Sequence, residues 1–242
     1  MLSVSCFGTC RIHNPIAKLA KKKLIKFNNG SIQNYLHSTE EILQQINFIE
    51  KKQLPHKSLW NLIFDEDYSK ERTILYELNN TSTFLVEISS KKVYKYKNYV
   101  VKPYIAESIL KNLDSEKKTS PPNEQWQEIM KDFVENFSFK RQTLSQIKKE
   151  MCVINSRLPG KVIFVTHINV VNNEGKILPV RQQLIELVEE QGKILGLKVF
   201  NPTDLIIKYG QSVALENKGQ DLNHYTSLFF EVLGYHLFEN YL

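Results

Sequence analysis

No stretch of about 18 consecutive apolar residues occurs in the chain, so no segment is long enough to span a membrane as a helix. No basic segment precedes an apolar one at the amino terminus; the charged stretch follows the apolar one, which argues against a signal peptide and for a cytoplasmic protein. Cysteine is scarce. Cys6, Cys10 and Cys152 are an odd number without metal-like spacing, so neither a disulfide framework nor a metal site is expected, and a reducing compartment suits them. Cys6 and Cys152 read as small buried apolar groups. Basic residues outnumber acidic ones to give a net charge of +6, but they do not interleave with exposed aromatics or build a known module. Nucleic acid is therefore not an expected partner, and solvated lysines account for the excess.

What is present is a chain of 242 residues, 42% of them hydrophobic. A chain of that size buries about 70% of its unfolded surface, enough for one sizeable core. A single domain over 1–242 is expected, with a helical insertion over approximately 103–158. Residues 2–7 form a short apolar run ended by Gly8 and read as a buried strand. Asn14-Pro15 reads as a helix cap followed by a first-turn proline. Ile16, Leu19, Ala20, Leu24 and Phe27 share a helical face behind it, although 24–27 also fits a second strand. Asn28-Asn29-Gly30 is a turn. Ser38-Thr39-Glu40-Glu41 is a capping box ahead of a helix carrying Ile42, Leu43, Ile46 and Ile49.

Residues 59–64 fit either strand or helix, 69–78 a helix and Thr83–Ile88 a strand. Residues 92–102 alternate with period two about Lys97-Asn98, as a hairpin does. Residues 114–123 form a loop. It leads into a helical stretch reaching Met151 in one or two pieces, with Trp126, Ile129, Phe133 and Phe137 on one face. Lys161–Thr166 is a third strong strand, followed by a helix over 178–195, a short strand over 197–200 and a last helix over 225–241. Wholly apolar strands alternating with helices argue for a mostly parallel α/β sheet covered on both faces. In such sheets function gathers at the carboxyl ends of the strands.

Cys10, Ser89-Ser90 and His167 each lie just past such an end, and Asp221 and His224 lie in the loop before the last helix. A thiol ahead of a helix N-terminus feels positive charge there, and Arg11 and His13 beside it favour thiolate further. Gly8 lets the backbone turn sharply, so that N–H groups at the turn can form an oxyanion hole. The competing reading of Cys10 is a buried, inert cysteine. Asp221 three residues before His224 can hold the imidazole in one tautomer; otherwise Asp221 simply caps the last helix. Glu87, Ser89 and Ser90 either stabilise an oxyanion or form a turn. His167 and Asn169 either line the same pocket or make satisfied structural hydrogen bonds. His37 lies in the loop before the capping box.

FGTCR at 7–11 and DLNHYT at 221–226 resemble the first and last blocks of the SGNH/GDSL hydrolase superfamily. More narrowly, they resemble bacterial members whose first block reads Gly-Ser-Cys or Gly-Asn-Cys, some linked to polysaccharide biosynthesis as acyltransferases. YLHSTEEILQQ (35–45), FLVEISSKKVY (84–94) and VIFVTHINV (162–170) extend the resemblance. It implies a three-layer α/β/α sandwich, with Cys10 in the nucleophile's place, His224 in the base's and Asp221 in the orienting acid's. Gly8, Thr9, Arg11, His37, Glu87, Ser89, Ser90, His167 and Asn169 then line the oxyanion or substrate site. The departures are Thr9-Cys10 for Asp-Ser and the lack of a Gly-x-Asn-Asp block, whose place Glu87 to Ser90 take. The oxyanion asparagine is then missing or supplied by Asn169.

The implied activity is acyl transfer from a small-molecule or carbohydrate ester by a Cys-His-Asp triad. Thr9 is a second candidate nucleophile. No metal or cofactor is required. Lysines 18, 21, 22, 23 and 26 leave room for an acyl-CoA donor. The alternative is a non-catalytic carbohydrate-binding or assembly protein on the same scaffold.

Overall fold

A computed structural model of the chain describes residues 1–28, 34–65, 76–116 and 131–242. Asn29 and Gly30 of the first turn, most of the 69–78 helix, much of the 114–123 loop, Trp126 and Ile129 lie outside the described residues. The main sheet has five parallel strands in the order β2-β1-β3-β7-β8: Ser3–Phe7 (β1), Lys26–Phe27 (β2), Thr83–Ile88 (β3), Lys161–Thr166 (β7) and Lys198–Phe200 (β8). Every residue of β3 is buried, as a central parallel strand requires.

Alternation along the strands divides the core between two faces. Val4, Cys6, Leu85, Ile163 and Val165 point to one face. They meet Ile12, Ile16 and Leu19 of helix Cys10–Lys21 (α1) and Phe229, Leu233 and Leu237 of the last helix, Ser227–Asn240 (α9). Phe84, Val86, Ile88 and Phe164 point to the other. There they meet Ile42, Ile46 and Ile49 of helix Thr39–Lys51 (α2), together with helices Leu144–Arg157 (α5) and Pro179–Ile194 (α6). The result is the three-layer α/β/α sandwich. The Ser38 capping box forms: Ser38 Oγ accepts the Glu41 N–H, and the Glu41 carboxylate accepts the Ser38 N–H at 2.9 Å.

Three local readings change. Helix α1 begins at Cys10 rather than after Asn14, because Thr9 is its cap: its Oγ1 accepts the Arg11 N–H at 3.3 Å, and Pro15 sits inside the helix. Residues 92–101 do form the hairpin, Lys92–Tyr96 (β4) with Tyr99–Val101 (β5), but its third partner is Phe137–Arg141 (β6), read from sequence as helix. Phe137 and Phe139 alternate with polar residues, and β6 places them opposite Tyr96 and Tyr94, the Tyr94 and Phe139 rings 4.9 Å apart. Cross-strand aromatic packing outweighs the helical spacing. Third, Cys152 is exposed, not buried.

The segment expected as a helical insertion over 103–158 is thus mixed. Helix Pro103–Glu116 (α4) and β6 accompany the small sheet, whose core joins Tyr94, Tyr96 and Phe133 to Phe48 and Phe64. Helix α5 covers the main sheet through Ile147, Met151 and Ile154. Residues 59–64 resolve into a 3-10 turn, Lys57–Leu59, and a short helix, Trp60–Ile63 (α3).

Candidate active site

Strand β1 has β2 on one side and β3 on the other, so the chain's winding reverses between β1 and β3. Such a switch point leaves a crevice beyond the carboxyl ends of the strands. Phe7 pairs with Val86 at that end, and the next residues on each side, Gly8 to Arg11 and Glu87, meet over it. Glu87 is fully buried. Its Oε2 accepts the Thr9 N–H at 2.8 Å and the Thr9 hydroxyl at 2.6 Å; its Oε1 takes Arg11 Nε at 2.7 Å. Three donors, one of them charged, satisfy a carboxylate that would otherwise be costly to bury. Gly8 is required by this approach rather than by an unusual φ: a Cβ there would stand 2.6 Å from Glu87 Cβ.

Arg11 continues across the crevice. Its Nη1 donates to the Asn223 carbonyl at 3.2 Å, so the turn after β1 and the segment before the last helix meet, 212 residues apart in sequence. In that segment Asp221 Oδ2 lies 2.8 Å from His224 Nδ1, while Asp221 Oδ1 accepts the N–H groups of Asn223 (2.8 Å) and His224 (3.1 Å). Partial burial pushes the Asp221 carboxyl up, but the His224 ring and these N–H groups outweigh it and hold the group below its ordinary value. The imidazole is therefore held at Nδ1, with Nε2 left for chemistry and the side chain 59% exposed. Buried Tyr225, next in sequence, feels the charges of Arg11, Glu87 and Cys10. Among the described residues no hydrogen bond joins Cys10 Sγ to His224.

Cys10 is the first residue of α1 and half-buried. Burial pushes its thiol above the ordinary value; Arg11 and the N–H groups of Cys10 and Arg11 pull down less, and Glu87 pushes up. The expected activation by Arg11 and His13 is thus not realised. Arg11 is already engaged by Glu87, and burial holds His13 down to about 4, so its ring is neutral near pH 7.

The other sequence candidates divide. His37, Ser89, Ser90 and His167 line a cavity of about 770 Å³, as do Asn223 and Arg181, whereas Cys10, Asp221 and His224 do not. The N–H groups of Ser89 and Ser90 both donate to the His37 carbonyl, at 2.9 and 2.8 Å, which removes them as oxyanion donors. Asn169 is also engaged: its Nδ2 donates to Gln182 Oε1 at 2.9 Å and its Oδ1 accepts the Leu178 N–H at 3.0 Å, bracing the start of α6. Lys18 and Lys22 of the basic helix pair with Glu231 of α9.

Arg181 was missed. Its Nη1 donates to the Leu222 carbonyl at 2.8 Å and its Nη2 to Asn223 Oδ1 at 2.6 Å, so two arginines grip the loop that carries His224. A signal existed: Arg181 lies in the first turn of α6, where the helix dipole disfavours a cation and another use is implied. Among the described residues, no group of His, Cys, Asp and Glu is placed to hold a metal ion, and no helix is long and apolar enough to cross a membrane.

Compared with known proteins, residues 2–240 match the TviD N-terminal domain family. The chain belongs to that family. It is 26% identical to the Vi polysaccharide biosynthesis protein TviD of Salmonella typhi, over 96% of this chain and 31% of that protein. This TviD-family chain therefore spans about a third of the length of its curated relative. In fold it is similar to a lipolytic protein of the G-D-S-L family from Veillonella parvula, with a TM-score of 0.50, 10% identity, and coverage of 100% of this chain and 98% of that one. A lipase/acylhydrolase from Enterococcus faecalis aligns with a TM-score of 0.49 and 12% identity over 99% of this chain and 94% of the other. The TviD-family fold here is thus that of the SGNH/GDSL hydrolases.

Proposed function

We propose that this TviD-family domain is an acyl-transfer enzyme with Cys10 as nucleophile, His224 as base and Asp221 as the residue that orients the base. Its substrate is an ester or thioester, acyl-CoA included, and its acceptor is water or a sugar hydroxyl in polysaccharide biosynthesis, as the name of the Salmonella relative suggests. The observation that carries the reading is Arg11, which ties buried Glu87 beside the nucleophile turn to the Asn223 carbonyl beside His224.

The raised thiol fits this division of labour. Protonated near neutral pH, Cys10 needs a base, and His224 Nε2 is available because Nδ1 is held by Asp221. Sγ attacks the carbonyl carbon as its proton passes to His224. The N–H group of Cys10, turned toward the sulfur, stabilises the oxyanion. The bond to the leaving group breaks, and the leaving group takes the proton from His224. In the second half, the acceptor hydroxyl gives its proton to His224 and attacks the thioester. The C–S bond breaks and the proton returns to Sγ.

The test is hydrolysis of 4-nitrophenyl acetate. Cys10→Ala and His224→Ala are each expected to lose on the order of a thousandfold or more in kcat/KM, and Asp221→Asn roughly a hundredfold or more. A Cys10→Ala variant as active as wild type contradicts the reading. The second reading is a non-catalytic carbohydrate-binding or assembly protein. It draws support from the engaged N–H groups of Ser89 and Ser90 and the engaged Asn169 side chain, and it predicts no dependence of ester turnover on any of the three residues.

A further inference from the structure

The small sheet treats its two edges differently. In β5, Tyr99 and Val101 face β4, so Val100 turns its backbone outward. The Gln44 side chain covers it as a neighbouring strand would: Nε2 donates to the Val100 carbonyl and Oε1 accepts the Val100 N–H, both at 2.8 Å. The Lys102 N–H, the next outward donor, goes to the Leu62 carbonyl at 2.9 Å. That edge is closed. Strand β6 forms the other edge. The Asn136 carbonyl accepts the Lys97 N–H at 3.0 Å and the Gln142 N–H donates to the Lys91 carbonyl at 2.8 Å, so the even-numbered residues face β4. Phe137, Phe139 and Arg141 therefore aim N–H and C=O away from the sheet, and no described residue pairs with them.

An open edge is a template for another strand, and folded proteins blunt such edges with proline, a bulge or free charge. Strand β6, FSFKR, has no proline, and its register with β4 is unbroken. The charge of Lys140 is taken up by Glu40 of α2. Phe139 stays 46% exposed although its ring lies against Tyr94, and the exposed side chains of Val134 before the strand and Leu144 after it extend the apolar strip. The sequence of the edge is also complementary to itself. Laid antiparallel on its own copy about a two-fold axis at Phe139, it sets Phe139 opposite Phe139, Phe137 opposite Arg141 and Ser138 opposite Lys140. No like charges meet directly, and Phe139 can exchange both of its outward hydrogen bonds with its copy. An axis at Arg141 would instead oppose two guanidinium groups.

We propose that β6 pairs antiparallel with β6 of a second copy of this chain about a two-fold axis at Phe139, joining two three-stranded sheets into one of six strands. Phe139 packs on the partner's Phe139 and forms the centre of the interface. Arg141, the last residue of β6, also lines the 770 Å³ cavity, so the seam runs along the wall of the candidate site. One short strand from each copy makes an interface at the small end of the range, and the dimer is accordingly weak and concentration-dependent. The inference stands apart from the acyl-transfer reading, since none of its residues belongs to the triad.

Sedimentation velocity of the wild-type chain, over a hundredfold range of concentration reaching about 200 μM, is the first test. The weight-average mass is expected to rise toward twice that of the monomer. Phe139→Lys and Phe139→Glu should each stay monomeric over the same range, because each places like charges at the axis. An equimolar mixture of the two should regain the dimer, because opposite charges then face each other. Far-UV circular dichroism on the same samples shows that the variants are folded. Amide hydrogen exchange on the wild type needs no variant: the Phe139 N–H should exchange about tenfold more slowly at the highest concentration than at the lowest, with the Val100 N–H unchanged. A monomer at every concentration, which would leave the edge to a foreign strand, overturns the proposal. So does a dimer that persists in both charged variants, which would use another face. If the variants misfold, the wild-type exchange decides, and a Phe139 rate independent of concentration overturns it.

Discussion

Glu87 shows how one buried residue can organise a site. It makes no obvious motif, yet it holds Thr9 and Arg11 together, and Arg11 in turn holds Asn223. Removing its charge strands a guanidinium that is 5% exposed. Glu87→Ala is expected to cost about 3–5 kcal/mol in urea unfolding. A loss below about 1 kcal/mol would mean that the pair is not buried in solution. Cys10 carries a second expectation. Because burial raises its thiol, it is protonated near neutral pH, and iodoacetamide labelling of Cys10 in a Cys152→Ser background should be slow at pH 7 and climb steeply into the alkaline range. Fast labelling at pH 6 contradicts the raised value. Cys10, Asp221 and His224 could be singled out in sequence as candidates, by the position of a thiol after a strand and the Asp-x-x-His spacing, and the contact between Asp221 and His224 is the part the structure contains. The state of the thiol could not be read there, because it depends on Glu87, 77 positions away, and on burial.

Among the elements, the turn after β1 is tightly constrained. A Cβ at Gly8 would press on both Glu87 Cβ (2.6 Å) and Ile12 Cδ1 (2.7 Å), one from the neighbouring strand and one from α1. Gly8→Ala is expected to cost about 1–3 kcal/mol and to displace Cys10, lowering ester turnover more than stability alone explains; a thermal melt and kcat/KM on the same sample separate the two. Strands β1, β3 and β7 and helices α2, α6 and α9 could be read from apolar runs and 3.6-residue periodicity, since burial enforces those patterns. Strand β6 could not. Phe137 fits the helical face that carries Phe133 equally well, and only pairing with β4, Phe137 opposite Tyr96 and Phe139 opposite Tyr94, decides the matter. The start of α1 was misplaced for a similar reason: Thr9 is recognisable as its cap only once Glu87 is seen to fix its hydroxyl.

At the scale of the molecule, the two ends of the chain are brought to one edge of the sheet, and two neutral buried histidines come with that edge. Burial lowers His13 to about 4 and His167 well below its ordinary value. In the unfolded chain both take up a proton near pH 6.5, so the folded state holds its full stability above that pH and loses it as pH falls toward 4. For His13 alone the loss between pH 7.5 and 5 is about 2 kcal/mol, and His167 adds in the same direction. Urea midpoints should fall less for His13→Phe than for wild type over that interval; equal losses would mean that His13 is not held neutral.

The central claim is that Cys10 accepts an acyl group with the help of a histidine brought from the far end of the chain. Intact-mass spectrometry after a brief exposure to 4-nitrophenyl acetate or acetyl-CoA tests it directly. The account predicts a single acetyl adduct mapping to Cys10, absent from Cys10→Ala and formed much more slowly in His224→Ala. An adduct on Thr9 or Cys152 with Cys10 unmodified, or no adduct under conditions where the ester is turned over, would contradict it.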